Sequence, residues 1–488
     1  MKSPPPNNPK LDAWNPLDTL SIGGWLVLII AVCSTVAVAL LPIREPEGLT
    51  LWTFAKPHGE LYQRLMREAQ EGENPEDQTQ LNVFVIDGAA LTRRTLSGFW
   101  SGTPLADLIE IERGAMNQYV SGPIEDVGFT DLTDRLEAEG LLDAINTPSF
   151  GPWTSRGRIF GLPHDVHPVL LAYRADLVEA AGIDVSEIET WNDFVRVMSP
   201  LITDTDGDGR IDRYLINLWH TSIDEIEVLM LQAGGGTFDE YEQSLIASDA
   251  NAKVAAHVVA WTLGDSRIGI DAPDFSASGN QLKLEGKVVA QLMPDWLAGV
   301  WKLDLPQLGG RVKLMPIPAW EPGGRRTSVR GGTMIAIPKA TEDFETAWEV
   351  AKFLYLSEEL AEELYKVNSI VSPIKSLWDA PFYDEPDPYF SDQPAGRKFI
   401  QQAPDVPFRS SNPYHTQART RIAEAISKLY DEAESGQIVP VDQLTPEALI
   451  PRAQALLQEA EDLVLKQMSR NMFLNPPGQA DADAEPNE

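Results

Sequence analysis

Leu49-Thr50-Leu51-Trp52-Thr53-Phe54 alternates in side-chain character and reads as a strand. It runs into a helix with Leu61, Leu65 and Ala69 on one face, and Leu81-Asn82-Val83-Phe84-Val85-Ile86 follows as the next strand. Strands alternating with helices define an α/β architecture with a mainly parallel sheet. Outward from this unit, the pattern predicts a helix around 104–112, although Leu108-Ile109-Glu110-Ile111 within it also reads as a strand leading to Glu112. Later helices are expected near 250–263, 342–356, 421–434 and 446–468. The last opens with Thr445 as cap and Pro446 at the first helical position, and its apolar stripe is Leu449, Leu456, Leu457, Ala460, Leu463 and Val464. Pro-rich stretches at 379–392 and 401–413 read as long surface connections.

The chain has 488 residues, enough for two or three domain-sized units. Its 73 acidic against 39 basic side chains give a net charge of −34, which repels phosphate backbones and argues against nucleic-acid binding. A single cysteine rules out an intrachain disulfide and any cysteine-based zinc or iron–sulfur site. From Ile22 to Ile43 there is no charge, and a helix of that length matches a bilayer core of roughly 30 Å. Residues 21–43 are therefore expected to form one transmembrane anchor; a cleaved signal and a lipid-modified Cys33 are the competing readings. Lys2 and Lys10 before the run and Arg44 and Lys56 after it leave its orientation weakly encoded. Residues 1–20 and 471–488 read as disordered tails, the latter acidic.

In 157–177, GRIFGLPHDVHPVLLAYRADL, a strand passing through Pro163 and Pro168 cannot complete a central ladder, so the chain is expected to cross between structural units here. His164 and His167 would need helical geometry to converge on a metal, which the two prolines oppose. They read as solvent-facing or ligand-bonding imidazoles.

This crossing, Tyr173-Arg174-Ala175-Asp176-Leu177, Ala181-Gly182-Ile183 and Thr190-Trp191-Asn192-Asp193-Phe194 together resemble the extracytoplasmic solute-binding proteins of carbohydrate ABC importers, the family that includes maltose-binding protein. Leu231–Gly235, Leu284–Ala290 leading to Pro294-Asp295-Trp296, Val312–Pro318 and Arg330–Pro338 extend the resemblance in order, over roughly 49–468. It implies a two-lobed, periplasmic-binding-protein type II fold with hinge crossings. Lobe 1 would comprise 48–163 and 316–358, and lobe 2 164–315 and 359–470. It also implies a carbohydrate ligand, ABC permease subunits as partners, an extracytoplasmic body and no catalysis or catalytic cofactor; a monomer is expected, and the apolar run 21–43, which departs from the family's usual secreted or lipid-anchored form, would tether that body to the cell membrane. A glycoside-processing enzyme and a ligand sensor subunit are the alternatives.

A sugar site needs aromatic plates for C–H faces and charged or amide groups for hydroxyls. Trp296, Trp52, Trp219 and Trp301 are the aromatic candidates, and Asp165, Glu112, Asp295, His220 and Lys56 the polar ones. Gly331 and Gly332 belong to the segment sharing the resemblance. Core packing competes for each aromatic, ordinary solvation for each charge. Separately, Asp204, Asp206, Asp208, Arg210 and Asp212 occupy positions 1, 3, 5, 7 and 9 of a calcium-type loop with Gly209 at position six, but Leu215 stands where the bidentate glutamate is usual. The expectation is a structural Ca²⁺, with a solvated acidic turn as the rival. Gly234-Gly235-Gly236 and Gly323-Gly324 lack the residues of a phosphate loop.

Overall fold

A computed structural model of the chain describes residues 21–40, 47–71 and 78–471. It falls into two units, 1–47 and 48–488. In the first, helix Ile22–Leu40 occupies the expected apolar run, but 19 residues span only about 28 Å against a layer of roughly 30 Å. Among the described residues no helix is long and apolar enough to cross a membrane, so the expected transmembrane anchor is corrected, and the membrane tethering that rested on it goes with it. The two expected tails and Arg44 lie outside the described residues, apart from Asn471.

Among its described residues the second unit holds twelve strands: β1 (Leu49–Thr53), β2 (Leu81–Val85), β3 (Leu108–Glu112), β4 (Thr154–Ser155), β5 (Arg158–Ile159), β6 (Leu162–Pro163), β7 (Val169–Arg174), β8 (Tyr214–Asn217), β9 (Gly269–Ile270), β10 (Val288–Pro294), β11 (Val312–Pro316) and β12 (Thr333–Ala336). They form two five-stranded sheets, ordered β2-β1-β3-β12-β6 and β11-β7-β10-β8-β9, and a β4–β5 ribbon. In the first, β12 runs antiparallel to both neighbours; in the second, β7 does. Each sheet is thus parallel but for one strand supplied next to a crossing. Both faces of such sheets are covered by helices, and β7 and β10 are accordingly buried along their whole length. Pro163 costs the ladder little because β6 is an edge strand, paired to β12 alone.

The helix expected around 104–112 is instead strand β3, and the helix falls at Gly88–Ser101, capped by Asp87 and stopped at the left-handed Gly102. Helices Asp249–Thr262, His415–Glu434 and Pro446–Met468 pack together on the second sheet, with Val254, Leu429 and Leu457 in their shared core. The Pro-rich stretches are not surface connections throughout: Phe382, Tyr383, Phe390 and Arg409 are buried. Three passages run between the sheets: 164–168, between β6 and β7; 317–332, between β11 and β12; and the segment after helix Glu358–Asn368, beginning at Ser369.

Candidate ligand cleft and hinge

The three passages meet at one buried chain of side chains. His167 sits in the first passage with φ 53°. It donates from Nδ1 to Asp295 Oδ1 at 2.7 Å and from Nε2 to Asp165 Oδ2 at 3.1 Å. Asp165 Oδ2 also accepts from His164 Nδ1 (2.8 Å) and from the Thr333 amide (2.9 Å) at the end of the second passage. Asp295 Oδ2 accepts from the Val371 amide of the third passage at 2.8 Å. Val166 N–H donates to Val371 O, and Arg330 N–H to His167 O. Burial pushes the His167 imidazole down, but Asp165 and Asp295 outweigh it and raise its pKa to about 10; it is a cation between two carboxylates. Asp165, pushed up by burial, is held well below the carboxylate range by His167 and His164. Of the two readings of His164 and His167, the solvent-facing one is corrected: both are buried.

Trp296 opens the helix that follows β10. Its indole N–H donates to Arg330 O at 2.8 Å, and Gly331 is held so close that a β-carbon would lie 2.7 Å from the indole nitrogen. Half-buried, it lies parallel to the exposed Phe275, ring centres 6.1 Å apart, with the Arg330 guanidinium 5.6 Å from its centre. Trp296, Asp295, Asp165 and Gly331 are thus brought together at the hinge.

The other expected residues lie elsewhere. Gly332 accepts from the Arg113 amide, directly after Glu112. Glu112 caps helix Arg113–Tyr119 through the Gly114 amide (2.7 Å) and is exposed. Trp52 is buried in the first-sheet core with the Arg94 guanidinium 4.1 Å from its ring centre. Trp219 packs beside His220, which stacks on Tyr430 at 3.6 Å. Lys56, exposed, pairs with Glu60 at 3.6 Å. Trp301 is buried near Lys283. In the acidic loop, ligand atoms of Asp204, Asp206 and Asp208 lie within 4.8 Å of one another, while Asp212 turns to Lys287 (2.9 Å) and Thr205 (2.8 Å). Arg210 enters through its backbone, its amide donating to Asp208 Oδ1.

Two features had no counterpart among the sequence candidates. A cavity of about 710 Å³ opens between Phe150 and Arg156 on one side and Tyr241 and Glu242 on the other, closed by Phe408 and Ser410. That size and mixture of rings and polar groups suit a small ligand. Beside it, Arg113 donates to Glu227 Oε2 at 3.2 Å and to His415 Nε2 at 2.9 Å, and His415 donates from Nδ1 to Thr237 at 2.8 Å. Burial pushes Glu227 up, yet Arg113 and Arg419 hold it ionised well below the usual range; burial lowers His415 to about 3, leaving it neutral. One signal was present in the sequence: Glu227 interrupts the otherwise apolar Ile226–Leu231 run of a helix whose residues from Glu225 onward are all buried.

Two lobes of this topology joined by three passages define the class of periplasmic-type binding proteins. The sequence matches the profile of bacterial extracellular solute-binding proteins over residues 68–361, and the chain belongs to that family. Among curated relatives, the arabinooligosaccharide-binding proteins of Bacillus subtilis and Halalkalibacterium halodurans are 25% and 23% identical to it over 365 and 350 residues. These alignments cover 72% and 70% of this chain and 78% and 75% of theirs. Among solved structures, the sugar-binding protein MalE of Xanthomonas citri superposes with a TM-score of 0.67 at 16% identity, covering 86% of this chain and 98% of its own. A binding protein of Bifidobacterium (B. animalis subsp. lactis), solved with β-1,6-galactobiose, gives 0.59 at 16% identity, covering 86% and 99%. These likenesses establish the fold.

Proposed function

We propose that this chain is the substrate-binding component of a carbohydrate ABC importer, capturing an oligosaccharide between its lobes and delivering it to the permease as an extracytoplasmic monomer without chemistry of its own. The observation that carries the reading is the convergence of all three passages on Asp165, His167 and Asp295: it provides a hinge about which the lobe built on the β2-β1-β3-β12-β6 sheet and the lobe built on the β11-β7-β10-β8-β9 sheet close. Ligand binding then shifts an open–closed equilibrium that the permease reads. The 710 Å³ cavity and the Trp296–Phe275 pair are the candidate sugar contacts, with Glu112, Lys56, Trp52, Trp219, His220, Gly331 and Gly332 as further positions; Asp165 and Asp295 contribute by holding the hinge. Both curated relatives are named for arabinooligosaccharides, which makes these the first ligands to try.

Isothermal titration with arabinooligosaccharides, maltodextrins and galactobiose tests the proposal. Saturable binding without product formation supports it; heat-silent titrations throughout, or turnover, overturn it. Trp296→Ala is expected to weaken binding by about tenfold or more, the worth of a lost ring face, and unchanged affinity removes Trp296 from the site. The acidic loop is read as a structural Ca²⁺ site, for which calcium raises the melting temperature of the chelated protein; an unmoved curve leaves a solvated turn.

A further inference from the structure

We propose that His58, Glu110 and His164 form a buried site for one divalent transition-metal ion of the zinc class, at the first-sheet end of the hinge. The three come from different elements: helix Lys56–Ala69, β3 and the first passage. One ligand atom from each lies within 4.8 Å of the other two, and all three residues are buried.

The hydrogen-bond pattern points to an ion. His164 Nδ1 donates to Asp165 at 2.8 Å, which places its proton there and leaves Nε2 with a free electron pair. That Nε2 is buried and has no hydrogen-bond partner. An imidazole whose outer nitrogen is held by a carboxylate while the inner one presents a lone pair is the arrangement of metal-ligating histidines. Glu110 Oε2, equally buried, also has no partner, whereas Oε1 takes His58 Nδ1 at 2.6 Å. Two orphaned acceptors beside a third ligand are satisfied together by one cation.

The walls complete the case. Tyr355 stacks on His164 at 4.6 Å and Tyr62 lies 6.0 Å from His58; both hydroxyls are buried without partners, and both lie near Glu110. A phenol or a water thus stands available for a fourth position. Two imidazole nitrogens and one carboxylate suit zinc and its neighbours rather than calcium or magnesium, which take oxygens. Glu110, with Asp165 behind His164, balances the double charge. Tetrahedral bonds of about 2.1 Å put ligand atoms about 3.4 Å apart. Loading therefore replaces the shorter His58–Glu110 hydrogen bond. Glu110 also borders a hollow of about 400 Å³ at the ends of β1 and β3, which gives the ion a way in. Once bound, the ion ties the first passage to the first sheet.

The full chain, stripped with EDTA and then offered ZnCl₂, is passed through a desalting column and its metal measured by mass spectrometry; CoCl₂ in parallel gives a visible spectrum. The expected result is one zinc per chain, a raised melting temperature, and a tetrahedral cobalt band. Glu110→Gln and His164→Asn each lower metal affinity by about tenfold or more, while Asp206→Asn in the acidic loop leaves it unchanged. Circular dichroism of the metal-free variants shows that they fold; should either fail, His58→Gln replaces it. Zinc lost on desalting from the wild-type chain, or retained equally by the variants, overturns the assignment and leaves a water-bridged polar cluster.

Discussion

His167 carries the sharpest consequence at the scale of a single residue. Its pKa is raised from 6.5 to about 10 by Asp165 and Asp295 against burial, so the folded state holds a proton that the unfolded state releases earlier. The stability it contributes is fully present below about pH 6.5 and is lost as pH rises through about 10. Urea midpoints measured between pH 6 and 10 are expected to fall for the wild-type chain and to stay flatter for His167→Gln. A flat wild-type profile rejects a cationic imidazole at the hinge. Asp165→Ala leaves His167 Nε2, His164 Nδ1 and the Thr333 amide without their acceptor, and breaking such a buried pair costs about 3–5 kcal/mol. Denaturant melts of that variant check this; a loss within about 0.5 kcal/mol would show that the hinge chain is not needed for stability.

Elements were legible where one periodicity or cap dominated. Thr445 and Pro446 start helix Pro446–Met468 where expected, and Thr190 forms a capping box with Asp193. The stripe of that last helix holds except at Leu463, which is 48% exposed because the packing face rotates past it toward Val464. Segment 104–112 reads both as a helix and as a strand because Leu105, Leu108, Ile109 and Glu112 fit the helical period while Leu108 to Ile111 fit a strand; pairing with β1 and β12, distant in sequence, decides for the strand. The site was harder to see for the same reason. His164 and His167 stood out and Asp295 was among the polar candidates, but His167 and Asp295 lie 128 residues apart and His58 and Glu110 52 apart, and spacing along the chain carries no trace of either meeting. Helix Arg113–Tyr119, packed on the first sheet, and helix Ile223–Gln232, beside the second, are linked through Arg113 and Glu227, and a double-mutant cycle on this pair is expected to show a coupling of about 0.5–3 kcal/mol. A coupling near zero removes this ion pair as a link between the two helices.

At the scale of the whole molecule, closure about the hinge predicts that small-angle scattering gives a smaller radius of gyration with bound oligosaccharide than without it; superimposable curves at saturation reject hinge closure as the response. The net charge of −34 keeps such a body soluble and well separated from other anionic surfaces. The reversed strand in each sheet has a different reach. β6 pairs only with β12, which is made after every strand of the second sheet, so a growing chain cannot finish its earlier half until its later half exists. Assembly is therefore non-local and slow to commit. Severing the polypeptide in either of the first two passages parts β12 from β1, β2, β3 and β6 while leaving β7 to β11 together, and during synthesis the first sheet stays unfinished, and open to chaperones, until β12 is made.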